Sequence, residues 1–379
     1  MARAALSAVA LLLVAAGCSQ GGDEVRVNVG GDGTPPSGTA TAGASGPAPE
    51  VVDTIATGLE VPWGLAFLPS GDAVVTERDS ARVLVISGPD HEVTEVGSVG
   101  AAAPQGEGGL LGVAVSPAYD QDHLVFFYVS APDDNRIVKA ELRGDRLGPV
   151  SPVLTGIPLG AIHDGGRLAF GPDGMLYAST GETGDGDLAQ DRDSLGGKIL
   201  RMTPGGKPAP GNPFDTEVWS FGHRNVQGLA FVDGQLWASE FGQSTFDELN
   251  RIDAGANYGW PVHEGTGGAS EGYTDPQATW GTDVASPSGL AYADGALWMA
   301  ALRGNRLWKI PLTGSGADQT AGEPEPYFVG AYGRMRTVVV APDGNLWVTT
   351  SNRDGRGSPG DDDDQILVVD PTPGDASAG

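Results

Sequence analysis

Residues 64–77 read Gly-Leu-Ala-Phe-Leu-Pro-Ser-Gly-Asp-Ala-Val-Val-Thr-Glu: a short apolar run, a turn at Ser-Gly-Asp, and a second run rich in β-branched residues. The pattern returns at Gly112 (GVAVSPAYDQDHLVFFYV), Arg167 (RLAFGPDGMLYAST), Gly228 (GLAFVDGQLWASE), Gly289 (GLAYADGALWMAA) and Thr337 (TVVVAPDGNLWVTT). Each copy is a strand, a turn and another strand, the turn being Pro-Asp-Gly or Asp-Gly in the last four copies. Successive starts lie 48 to 61 residues apart. Self-similarity at that period predicts one four-stranded sheet per copy, arranged radially. The fold class expected is all-β, a six-bladed β-propeller. Such a ring collects the loops of every blade around one opening.

Working outward, the repeats span residues 51–371 of a 379-residue chain. The 60 glycines and 28 prolines suit many tight turns, and no sustained 3.6-residue periodicity calls for long helices. With 22 basic against 49 acidic residues the net charge is −27, which repels phosphate backbones and argues against a nucleic-acid partner. Residues 1–17 read as an export leader. Arg3 precedes an apolar run too short to span a bilayer, and Val14-Ala15-Ala16-Gly17-Cys18-Ser19 resembles a lipoprotein box. Cys18, the single cysteine, is the candidate lipidation site, giving an extracytoplasmic, membrane-anchored protein. Residues 18–50 are Gly-, Ser-, Thr-, Ala- and Pro-rich and read as a disordered tether, and residues 372–379 as a frayed tail.

Chemistry is sought in segments too polar or too glycine-rich for strands. Gln105-Gly-Glu107-Gly-Gly enters the second copy; Ile162-His163-Asp164-Gly-Gly-Arg167 enters the third, with Gly181-Glu182-Thr-Gly-Asp185 behind it. Gly222-His223-Arg224-Asn225 enters the fourth copy, and Tyr332-Gly-Arg334-Met-Arg336 the sixth. Singly, each has an ordinary reading: a histidine bonded to a loop carbonyl, arginines in surface ion pairs, glycines in turns. Together, arginines, a histidine and an acid at equivalent blade positions fit one polyanionic ligand beside one base. The five histidines show no HxH or HExxH spacing, no Gly-x-Ser-x-Gly elbow precedes a helix, and no complete phosphate loop or GxGxxG is present.

The motifs GEGGLLG, HDGGRLAFGPDG, GHRNVQGLAF, EFG…DELN, NYGWP and RMR-x-VVVAPDG, in that order between Pro62 and Asp370, resemble the soluble quinoprotein glucose dehydrogenases and their aldose sugar dehydrogenase branch, the glucose/sorbosone dehydrogenase family. The resemblance implies a propeller that binds pyrroloquinoline quinone (PQQ) and Ca²⁺ and oxidises aldoses at C1 to lactones. It implies His163 as general base, Glu182 as the acid bonded to it, and hydride transfer from C1 to the quinone. It places Arg224 and Asn225 on the cofactor, Arg224 near the developing oxyanion. Arg334 and Arg336 fall on the cofactor's carboxylates, and Trp280 beside it as an aromatic neighbour. The carbonyls of Gly242 and Gln243 match those holding a cofactor-bridging Ca²⁺, and Asp247, Glu248 and Tyr258 match a second, structural calcium site. The run at 361–364 reads as a solvated loop instead.

Three positions depart from the family's pattern. Glu107 stands where a glutamine contacts cofactor and sugar, Ile162 where an aspartate flanks the base, and Arg303 where a cofactor-binding lysine is expected. The first two separate this chain from glucose as its substrate. The expected activity is a PQQ- and calcium-dependent aldose sugar dehydrogenase that passes electrons to a small or membrane-bound acceptor. The alternative from another class is a non-catalytic propeller that binds a glycan or a protein partner through the same face. A calcium lactonase would need acids converging on the channel, where this chain supplies arginines.

Overall fold

The structure, a computed structural model, describes residues 47–374 and the backbone of a three-residue strand, Val27–Val29. The leader read over residues 1–17, the candidate lipidation site Cys18 and the tail from residue 375 lie outside the described residues. Six antiparallel sheets follow one another in chain order as six blades. All six copies become the first two strands of a blade. Their inner strands are Pro62–Phe67, Leu110–Val115, Leu168–Phe170, Val226–Val232, Pro287–Ala293 and Met335–Val340. Among the described residues, helix is confined to single turns such as Tyr119–Asp122 and Asp187–Gln190.

The repeat's residues explain how the blades join. The glycine that opens most copies lies where one inner strand abuts the next: a Cβ on Gly112 would overlap the Gly166 carbonyl, whose oxygen accepts the Gly112 N–H at 3.1 Å. A hydroxyl near the end of the second strand reaches the neighbouring blade's backbone. Thr76 Oγ1 donates to Leu111 O at 2.5 Å, Ser179 Oγ to Val226 O at 2.8 Å, and Ser239 Oγ to Ser288 O at 2.6 Å. Thr349 Oγ1 closes the ring on Pro62 O at 3.4 Å. Apolar side chains fill the wedges between blades, as where Leu111, Phe126 and Tyr128 pack on Leu168, Leu176 and Leu200. Each fully buried leucine or phenylalanine there contributes roughly 1.5–3 kcal/mol.

The sixth blade is completed from the other end of the chain. Its order is Glu50–Ala56, Ile366–Asp370, Leu346–Thr350, Met335–Val340, so an N-terminal strand supplies the outermost position. Two expectations need correction here. The segment read as a tether is partly held, since Val27–Val29 pairs antiparallel with Ala278–Gly281 on the outer edge of blade four. The acidic run is only half solvated: Asp361 and Asp362 are exposed, but Asp363 and Asp364 are buried. There they accept bonds from the Asn352 side chain and backbone, from Thr350 and from Arg353 N–H.

Candidate active site

Loops entering the inner strands meet in a cavity of about 610 Å³ at one end of the ring. Glu107, His163, Asn225, Arg303, Arg334 and Arg336 all line it, from blades two to six. His163 has a positive φ of 58°, so its loop is held from outside. The Glu107 carboxylate accepts its N–H at 2.9 Å, and its carbonyl accepts the Thr183 N–H at 3.2 Å. Its Nδ1 is in a very short hydrogen bond with Glu182, which is buried. That partner assigns the Nδ1–H tautomer and leaves Nε2 as the basic nitrogen.

Arg334 immediately precedes the strand Met335–Val340 and Arg336 sits at a bulge near its start, and both side chains reach the cavity. Asp354 joins them: its Oδ2 accepts Arg334 Nε and Nη2 at 2.9 and 2.7 Å and Arg336 Nη2 at 3.2 Å. Burial pushes Asp354 upward, but the two guanidiniums outweigh it and hold the carboxyl below its ordinary range. Glu107 is likewise held down: burial opposes ionisation, while the His163 N–H and Arg356, at 2.6 Å, prevail. Five arginines, Arg78, Arg303, Arg334, Arg336 and Arg356, therefore line the cavity with two ionised carboxylates, Glu107 and Asp354, while Arg78 is paired with Asp79 at 2.6 Å. In a chain of net charge −27 this is a local concentration of positive charge that suits a multiply charged anion.

Arg224 does not line this cavity. It turns into an adjoining crevice, donates through Nη1 to the Gly242 carbonyl at 2.7 Å and lies over the Trp260 ring. Its neighbour Asn225 does reach the cavity, while its side-chain Oδ1 accepts the Gly165 N–H at 3.1 Å. Trp280 is corrected outright. It sits on the outer strand of blade four, fully buried against Trp308, and is absent from the cavity lining.

The second calcium set is also divided. Asp247 and Glu248 are consecutive on the strand Phe246–Ile252, so their side chains leave on opposite faces. Asp247 accepts N–H groups from Gly242 at 2.9 Å and Ser286 at 2.6 Å. Glu248 accepts from Gly265 N–H and Asn250 and shares the crevice with Glu240, Glu264 and Tyr258. The two carboxylates cannot meet on one ion. Tyr258 spends its hydroxyl on backbone, donating to Arg251 O at 2.6 Å and accepting from Asp253 N–H at 2.9 Å. Burial pushes Asp247 up to about 7, and burial with Glu240 pushes Glu248 upward. Among the described residues no three His, Cys, Asp or Glu side chains form a metal-ligand cluster. An ion drawing on the backbone oxygens of Gly242 and Gln243 would have to displace Arg224 from the Gly242 carbonyl.

Sequence reading passed over Arg78, Asp354 and Arg356, which sit in Gly- and Asp-rich loops with no distinguishing pattern. Arg167 closes the motif that enters the third copy but was given no role, although it puts a charged residue in the slot that four copies give to glycine.

The PQQ-bound aldose sugar dehydrogenase of Streptomyces coelicolor superposes with a TM-score of 0.82 at 55% identity, over 85% of this chain and 98% of that one. An uncharacterized protein of Synechocystis sp. is 33% identical over 79% of this chain and 83% of its own length. Aldose sugar dehydrogenase YliI of Escherichia coli is 29% identical over 82% and 92%. Residues 59–359 match the Glucose / Sorbosone dehydrogenase family, and on a match of that span the chain belongs to it.

Proposed function

We propose that the protein is a PQQ-dependent aldose sugar dehydrogenase, oxidising its substrate at the anomeric carbon to the lactone. The observation that carries this reading is the His163–Glu182 pair at the edge of an arginine-lined cavity. Support comes from the 55%-identical Streptomyces relative, which is described as PQQ-bound. The donor set suits that cofactor, since fork-shaped guanidiniums at Arg334 and Arg336 match carboxylates and Arg303 adds a third cation. When bound, PQQ would supply the two-electron acceptor for a hydride from the sugar; Ca²⁺ would supply a Lewis acid, and to reach the Gly242 carbonyl it would have to displace the Arg224 guanidinium that now holds that oxygen at 2.7 Å.

The chain's own groups do the rest. His163 Nε2 takes the proton of the anomeric hydroxyl. Glu182, on the far side of the ring, fixes the tautomer and stabilises the imidazolium that forms. Glu107 anchors the His163 backbone and, through Arg356, bridges the loops of blades two and six. Ile162, 39% exposed at the rim, offers an apolar contact in place of an acid. Cys18 is read as the lipid anchor of an extracytoplasmic enzyme, which keeps it near membrane-bound electron acceptors.

Titration of the metal-free protein with PQQ and Ca²⁺, followed by aldoses and a dye acceptor, tests this. Calcium-dependent quinone uptake and sugar-driven dye reduction are expected. His163→Ala is expected to retain quinone and lose turnover by about 10²- to 10⁴-fold. Folded protein that takes up no quinone would transfer the site to a glycan- or protein-binding role.

A further inference from the structure

Arg167 is buried, 8% exposed, beside the cavity-lining residues Gln227 and Arg336. Its Nε donates to Gln227 O at 2.8 Å and its Nη2 to Thr337 Oγ1 at 3.1 Å, and its guanidinium stacks 4.3 Å from the Trp63 ring centroid. These partners are neutral, and among the described residues no carboxylate pairs with it. Its charged neighbour is Arg336, which lies over the same tryptophan at 5.9 Å. Gln227 links the two: its carbonyl takes Arg167 and its Oε1 takes Arg336 Nη1 at 3.3 Å. Burial and Arg336 lower the Arg167 guanidinium to about 9, which leaves it charged at neutral pH. A buried cation without a counter-ion is costly to keep. A hydrogen-bonded pin across the axis needs donors and no charge.

We propose that Arg167 is a positioning residue whose unneutralised charge makes the cavity hold its ligand more tightly when that ligand carries one more negative charge. The proposal rests on the quinone reading above. In that reaction the sugar's C1–H bond breaks as a hydride and its O–H bond as a proton, and the lactone C=O forms. Two electrons pass with the hydride to the quinone, while the proton stays on His163. The ligand of the cavity therefore gains one negative charge, and Arg167 favours the reduced state.

The test is the midpoint potential of PQQ in the calcium-loaded holoenzyme, measured by equilibration with redox dyes in the absence of sugar. Arg167→Gln keeps hydrogen-bond donors and removes the charge; Arg167→Met removes both; burial would lower a lysine as it lowers Arg167, so all four proteins are measured at about pH 6, where Arg167→Lys keeps the charge. Both neutral variants are expected to favour the reduced form about tenfold less, a midpoint about 30 mV lower, and the lysine variant to stay close to wild type. Equal midpoints in all four proteins would overturn the inference and leave the quinone reading standing. No quinone uptake by the wild type would overturn both. If thermal melts show that neither neutral variant folds while the lysine variant does, the charge belongs to folding and the inference fails.

Discussion

Asp164 follows the candidate base directly and shows what a single buried acid does to this loop. Its Oδ1 accepts Asn135 Nδ2 at 2.9 Å and Gly160 N–H at 3.2 Å, whereas its Oδ2 is buried without a partner. Burial, only partly offset by those bonds and reinforced by Glu107, raises the carboxyl to about 6. Because the folded value exceeds the ordinary 3.8, the native state keeps a proton that the unfolded chain has already lost. The stability this supplies is complete below about pH 4 and disappears as pH rises through about 6. Asp164→Asn keeps the accepting oxygen and puts N–H where the orphan oxygen was. Its stability relative to wild type is expected to improve by up to about 3 kcal/mol between pH 4 and 7. Denaturant melts across that range check it, and a pH-independent difference would mean that Asp164 ionises freely in the fold. Residues like this one, and like Arg167 and Asp354, were illegible or half-legible in the sequence, because their burial depends on what other blades bring. Trp280 misled for the converse reason: an aromatic in a strand reads the same whether it faces a cavity or a core.

At the scale of elements, the His163 loop is held by its neighbours more than by its own residues. A Cβ on Gly181 would overlap the His163 carbonyl, so the two backbones can lie together only with glycine there. Gly181→Ala is expected to displace the histidine from Glu182 and lower sugar-dependent turnover by about 10²-fold or more. The fold should persist by circular dichroism; unchanged turnover would show that the loop absorbs the methyl group. The inner two strands of every blade were legible because period-two patterning and turn residues repeat there. Outer strands were not: blade four's Ala278–Gly281 returns only after a long excursion from Ile252, with no repeated pattern to mark it. Strand alternation also separates Asp247 from Glu248, which the family resemblance joined into one calcium site.

For the whole molecule, the ring depends on a pairing between distant parts of the chain. Glu50–Ala56 runs antiparallel to Ile366–Asp370, with Glu50 opposite Asp370 and Ala56 opposite Ile366. Nothing local announces this partner, so the sequence counted six blades without showing what seals the sixth. Deleting residues through Ala56 strips the outer strand from that blade and bares the hydrogen-bonding edge of its neighbour. The truncated protein is expected to melt well below the full chain and to aggregate on heating, as scanning calorimetry with light scattering would report; an unchanged melting temperature would make the strand dispensable. The same seal sets an order of events during synthesis. The strand at Glu50–Ala56 is made before the other strands of the ring and its partner after them, so a growing chain leaving the ribosome, or threading a membrane pore N-terminus first, carries an unmatched edge until Ile366–Asp370 has emerged. Completion of the ring is thereby timed to the delivery of its last strand.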